Sequence, residues 1–253
     1  MGTVVTIDCF LDHPIEPGRL DAAMAAAVAV LHEVDGTFSV WKPDSPMSAL
    51  RSGALQLADA PDVVREVLAA CEAARAASGG WFDPWALPGG VDPTGYMKGW
   101  AAQRAVRQFV GLGVRGAIVN AAGDVATLGQ PAQGASFRIG VVDPAAPGRL
   151  ACVATVDGGI ATSGTYERGA HLVDPVRGER RTAVASATVC GRDLGLADAL
   201  ATALAVGGEQ VLGRIEALRD IEAFTIGHDG AWSHTSAFPF APGSTRCATA
   251  PAR

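Results

Sequence analysis

Asp198 and Thr202 stand four residues apart in the stretch Leu196-Ala197-Asp198-Ala199-Leu200-Ala201-Thr202. On a helix that spacing puts a carboxylate and a hydroxyl on one face. Their neighbours, through Ala203 and Leu204, are apolar, so an ionised Asp198 is costly there unless something pairs with it. A carboxylate beside a hydroxyl suits a hard ion such as Mg²⁺, which keeps other positions for water and phosphate. The competing reading makes Asp198 a helix cap, because it lies near the first turn.

A second group is Gly90-Val91-Asp92-Pro93-Thr94-Gly95-Tyr96-Met97-Lys98-Gly99, directly before a helix expected over 98–112. Glycines let backbone amides approach an anion closely, and a helix N-terminus adds partial positive charge. Lys98 would add a full charge at the same place. Gly90 and Gly95 have Walker A spacing, but Tyr96 occupies the position where that motif needs its lysine. The same residues also fit a tight turn with a solvated lysine.

The third group is Ala161-Thr162-Ser163-Gly164-Thr165, read as a hydroxyl-rich turn, followed by His171-Leu172-Val173-Asp174-Pro175. His171 has the chemistry of a general base, against the alternative of a structural histidine beside an aspartate. Ser163 lacks the G-x-S-x-G setting of a hydrolase elbow. Trp41, Trp81, Phe82 and Trp85 can stack on a flat heterocycle or simply fill a core.

These residues need elements to hold them. A β-branched strand is expected over 3–11 and a helix over 18–34, where apolar positions recur at helical spacing. A second helix is expected over 61–78, with Asp59 as a nearby cap and Gly79-Gly80 as the stop. Further strands are expected at 116–120, 137–142, 151–156, 185–190, 222–226 and 231–234, and helices at 197–206 and 210–218. The segment 79–99 is too rich in Gly and Pro for regular structure and too aromatic for a plain linker, which marks a functional loop. With no repeat and no linker visible, the expected fold class is α+β: one domain over 1–236 with mixed or antiparallel sheets and packed helices. Residues 237–253 are expected to form a loosely ordered tail.

Composition narrows the function. The 253 residues carry a net charge of -6, and the pI is near 5.3, which argues against a general nucleic-acid binder. Five scattered cysteines without a C-x-x-C pair suggest reduced thiols rather than a disulfide framework or a zinc site. No run of about 20 apolar residues and no secretory signal is visible, so the expected location is cytoplasmic, or exported only if a leader has been removed. Eighteen of the 20 basic residues are arginine; only Lys42 and Lys98 are lysine.

In order, the chain carries Met1-Gly2-Thr3, Phe38-Ser39-x-Trp41, Trp81-Phe82-Asp83-Pro84, Asp92-x-x-Gly95-x-x-Lys98-Gly99 and Asn120-Ala121-Ala122-Gly123-Asp124. Ala161-Thr162-Ser163-Gly164, His171-Leu172-Val173-Asp174-Pro175 and Ala197-Asp198-Ala199-Leu200-Ala201-Thr202 follow. Over residues 1–235 this series resembles the ApbE-type FAD:protein FMN transferases. The resemblance implies a Mg²⁺-dependent enzyme that cuts FAD, moves FMN onto a Thr or Ser hydroxyl of a partner flavoprotein through a phosphoester bond, and releases AMP. It assigns Asp198, Thr202 and the Gly95 carbonyl to the metal. Met1, Trp41, Trp81, Phe82, Asp83, Asp92, Lys98 and Val173 would line the FAD site, with Lys98 near the phosphates. His171 would help deprotonate the acceptor hydroxyl.

Two departures from the family pattern stand out. The stretch from Asp83-Pro84 to Asp92 is shorter than in longer members, and alanine replaces one usual glycine in Asn120–Asp124. Two other functions fit the same residues: a metal-dependent FAD pyrophosphatase, with water replacing the protein hydroxyl, and a non-catalytic flavin-binding protein.

Overall fold

Small residues on one face of a sheet and larger ones on the other organise this protein. The computed structural model describes residues 3–87, 89–146, 148–165 and 172–244. Seven strands form the main sheet: β1 (Val5–Phe10), β2 (Gly116–Ala121), β3 (Asp124–Gly129), β6 (Gly159–Gly164), β9 (Ser186–Gly191), β10 (Ile221–Ile226) and β11 (Trp232–His234). Neighbours pair in that order, and every pairing is antiparallel. Two hairpins stand outside it, β4 (Phe137–Val142) with β5 (Leu150–Val156), and β7 (Val173–Asp174) with β8 (Glu179–Arg180). The fold is α+β, as expected.

Alternation along each strand separates two cores. Ala126, Ala161, Ala187, Val189 and Ala223 point to one face, under the helices. Val125, Ile160, Cys190, Phe224 and Ile226 point to the other, where the β4–β5 hairpin packs. The helical layer comprises α1 (Pro17–Phe38), α2 (Pro46–Ser52), α3 (Asp62–Ser78), α4 (Thr94–Val106), α5 (Leu194–Gly207) and α6 (Glu209–Ile215). α5 is buried almost all round and packs on α4, β6 and β9. Such a helix must be apolar on every side, and its alanines keep it thin enough to lie close to the sheet.

Several elements differ from the sequence reading. The 98–112 helix starts earlier, at Thr94, because the Asp92 side chain accepts the Thr94 amide (3.0 Å) and the following residues are held by packing. α3 begins after Pro61 with no side-chain cap; Asp59 belongs to a separate 3-10 turn over Leu57–Asp59. Its end is as read, with Gly79 left-handed. β3 was not anticipated, and the supposed turn at 161–164 lies in strand β6. Both are short inner strands that adjoin turn-forming glycines, Gly123 before β3 and Gly158 before β6, so neither stands out as a separate run. α2 was also unanticipated; the Ser45 hydroxyl caps it by accepting the Ser48 amide (3.0 Å).

Residues 237–244, the start of the expected tail, sit on β5. The Pro239 carbonyl accepts the Thr155 amide (2.7 Å), the Ala241 amide reaches the Val153 carbonyl (2.8 Å), and Phe238 is buried. Among the described residues, no helix is long and apolar enough to cross a membrane.

Candidate active site

Asp198 is not the cap of its helix. Asp193 caps α5 by accepting the Leu196 amide (3.0 Å), which leaves Asp198 in the next turn, 1% exposed. There it meets α4. Asp198 Oδ2 accepts the Gly99 amide at 3.2 Å, and Oδ1 lies 3.4 Å from Lys98 Nζ. The Lys98 ammonium is in closer contact with Asp124, at the start of β3, whose side chain is fully buried. The other Asp124 oxygen faces the Thr162 amide at 3.4 Å.

One ammonium thus serves two buried carboxylates. Burial, and then the neighbouring Asp124, push the Asp198 carboxyl well above its usual range, although Lys98 and the Gly99 amide oppose the rise. Burial would lower Lys98, but the charges of Asp198 and Asp124 outweigh it and hold the ammonium above its ordinary value. Charge of this kind inside a protein persists only where it is paired and hydrogen-bonded.

One turn beyond Asp198, Thr202 extends the site. Its Oγ1 lies 3.2 Å from Ser163 Oγ on β6. Gly95, in the first turn of α4, lies against it: a Cβ there would fall 3.1 Å from Thr202 Oγ1 and 3.2 Å from the Phe82 ring. The crossing of α4 and α5 is equally tight at Gly99, where a Cβ would sit 2.2 Å from the Leu194 carbonyl oxygen. The Gly99 amide, whose in-helix acceptor would be the Gly95 carbonyl, is the one that reaches Asp198. A carboxylate, a hydroxyl and a nearby helix carbonyl form a hard oxygen set that fits Mg²⁺. Among the described residues no group of three or more His, Cys, Asp or Glu side chains is placed to hold a metal. Mg²⁺ in such a set also draws on water and ligand oxygens.

The aromatic loop flanks this centre. Phe82 is buried, its amide donated to Ser78 Oγ at 3.0 Å, and Trp81 is half-buried against the helical core. Asp83 accepts from Arg75 Nε (2.8 Å) and from the Trp85 amide (2.9 Å). Asp92 pairs with Arg51 of α2 at 3.6 Å, and the same guanidinium donates to the Gly90 and Val91 carbonyls at 3.3 and 3.0 Å.

Of the residues singled out from sequence, the structure brings Phe82, Gly95, Lys98, Asp198 and Thr202 together. Asp83 and Asp92 instead hold the ends of the loop. Trp41 follows the end of α1 and is 90% exposed. Val173 is half-buried in β7, which packs against α5. Met1 and His171 lie outside the described residues.

Lys98 differs most from the sequence reading. It lies in the second turn of α4 rather than at the start of a helix, with its charge engaged by two carboxylates. Asp124, Ser163 and Arg51 were not chosen from sequence. For Asp124 a signal existed, a carboxylate directly after a tight turn: Ala122 (φ 51) and Gly123 (φ 92) form the two-residue loop between β2 and β3. Asn120 Oδ1 braces that loop by accepting the Gly123 amide at 2.9 Å.

Comparison with known proteins follows the same lines. The fold matches the flavin transferase ApbE of Vibrio cholerae with a TM-score of 0.81 at 20% identity, covering 94% of this chain and 95% of that one. It matches the apo flavinyl transferase ApbE of Pseudomonas stutzeri with a TM-score of 0.77 at 24% identity, over 94% and 92% of the two chains. In sequence, the FAD:protein FMN transferase of Rhodobacter capsulatus is 33% identical over 151 residues, 56% of this chain and 29% of that protein. That of Vibrio cholerae is 30% identical over 131 residues, 47% of this chain and 39% of that protein. The chain therefore aligns with well under half the length of these curated relatives. The model of the ApbE family matches residues 1–89 and 86–225, and the chain belongs to that family.

Proposed function

We propose that this protein is a Mg²⁺-dependent FAD:protein FMN transferase. The observation that carries the reading is the meeting of α4, α5, β3 and β6 at one centre. A buried cluster of Lys98 with the Asp124 and Asp198 carboxylates adjoins the Thr202 and Ser163 hydroxyls there. The names of the curated relatives supply the chemistry.

Asp198, Thr202 and the Gly95 carbonyl would hold Mg²⁺, which when bound supplies positive charge to phosphate oxygens. The Lys98 side chain keeps 22% of its surface exposed, enough to face a phosphate while its carboxylates hold it. Trp81, Phe82 and Trp41 would stack on the flavin or adenine ring. Asp83 and Asp92 would shape the loop beside it, and Met1 and Val173 would also line the FAD site. His171 would take the proton from the acceptor Thr or Ser hydroxyl. That oxygen bonds to the FMN phosphorus, the pyrophosphate P–O bond to the AMP side breaks, and AMP leaves. The partners are FAD and an acceptor flavoprotein with a Thr/Ser flavinylation motif, with no nucleic acid. Residues 1–236 act as one catalytic unit, followed by the segment 237–253. A cytoplasmic location accords with the free thiols of Cys9, Cys71, Cys152 and Cys190.

Incubation with FAD and Mg²⁺, with and without an acceptor flavoprotein, tests the function. FMN bound covalently to the acceptor, with AMP released, is the expected result. Free FMN and AMP in equal yield without acceptor would make the protein a pyrophosphatase. Intact FAD in both arms would leave only flavin binding.

A further inference from the structure

We propose that Asp124 is a positioning residue that holds the Lys98 ammonium off Asp198, leaving that carboxylate open to a divalent cation. The inference rests on reading Asp198 and Thr202 as the cation site. Lys98 has two carboxylates within reach, and the structure divides it unequally. It is in close contact with Asp124, whereas 3.4 Å to Asp198 is at the long end of hydrogen bonding.

Asp124 is well placed to anchor it. Its side chain is fully buried, it opens β3 directly after the braced turn at 122–123, and its second oxygen faces the Thr162 amide. The Gly99–Leu194 crossing fixes the backbone of α4 against α5, which keeps the Lys98 ammonium within reach of both carboxylates. If Asp124 lost its charge, Asp198 would be the remaining carboxylate of the pair, and the ammonium would settle on the oxygen an incoming cation needs. In a buried site such direct competition weighs heavily. Asp124 would then act on the cation through Lys98 and need not ligate it.

The test is Mg²⁺ binding to the flavin-free protein, measured by calorimetry and by the Mg²⁺-induced shift in thermal midpoint. The variants are Asp198→Asn, Asp124→Asn, Lys98→Met and the double variant Lys98→Met/Asp124→Asn. Asp198→Asn should lose binding, which checks the underlying cation reading. Asp124→Asn should bind roughly tenfold more weakly or worse, and the double variant should recover to within about threefold of wild type. Lys98→Met keeps both carboxylates and should bind at least as tightly as wild type, which decides the matter should Asp124→Asn fail to fold.

Wild-type affinity in Asp124→Asn, with Asp198→Asn inactive in binding, would overturn the inference and leave the cation site standing. A double variant as weak as the single one would also overturn it, because Asp124 would then act other than through Lys98. Mg²⁺ binding that is absent from wild type, or unchanged in Asp198→Asn, would remove the cation site itself and the inference with it.

Discussion

The two faces of the seven-stranded sheet are built from different materials. Toward the helices the strands offer mainly alanine and valine, with α5 lying close on them. Toward the β4–β5 hairpin they offer Phe224 and Ile226, and the Phe224 ring meets Trp232, Phe238 and Phe240 at centroid distances of 5.2, 5.4 and 6.0 Å. The aromatic face is adhesive. The alanine face gives up contact area for proximity, and proximity lets side chains from α4, α5, β3 and β6 converge on Lys98, Asp198 and Thr202. On the function proposed above, the chemistry would sit where the backbone elements come closest.

That contrast can be broken in order of expected effect. Asp198→Ala should reduce Mg²⁺-dependent flavin transfer to background while the fold persists, since Asp124 still pairs with Lys98. Turnover assays beside circular dichroism check both halves, and undiminished turnover would sink the metal assignment. Phe224→Ala, on the adhesive face, should cost about 3–5 kcal/mol in denaturant unfolding. The protein that remains folded should keep its Mg²⁺ dependence.

Gly99→Ala strikes the close approach itself. Its Cβ would collide with the Leu194 carbonyl, so about 1–3 kcal/mol of stability should be lost together with activity. Gly213→Ala, with open space around it in α6, should instead be neutral or slightly stabilising, and melting curves of the pair separate crowding from propensity. Lys98→Arg keeps the charge but not the compact ammonium between its carboxylates. Transfer should fall about 10- to 100-fold with little change in melting temperature. The smallest effect belongs to Ala122→Gly. It relieves a left-handed alanine (φ 51) and should add about 0.5–1 kcal/mol in the same unfolding assay.

Much of this was legible from local pattern. The alternation of β2, β4, β5 and β10 and the apolar run of α5 follow from period and composition, and the four-residue spacing put Asp198 and Thr202 on one face. Other features depend on distance along the chain. Lys98 and Asp124 are 26 residues apart, and Lys98 and Asp198 are 100 apart, so no window of sequence shows that they share charge. Gly95 and Pro93 read as helix breakers, yet Pro93 stands at the N-cap of α4 and Gly95 makes room for Thr202. β6 hid for a related reason. Its Thr, Ser and Gly carry a turn's composition, and its place between β3 and β9 makes it a strand.

The aromatic loop has one more consequence. Arg75 grips it at Asp83, and Arg51 grips it at Gly90, Val91 and Asp92. A segment fastened near both ends has already surrendered much of its conformational entropy during folding. A long, jointed ligand lying along it would have only its own freedom to lose, and the wall it met would be standing before it arrived.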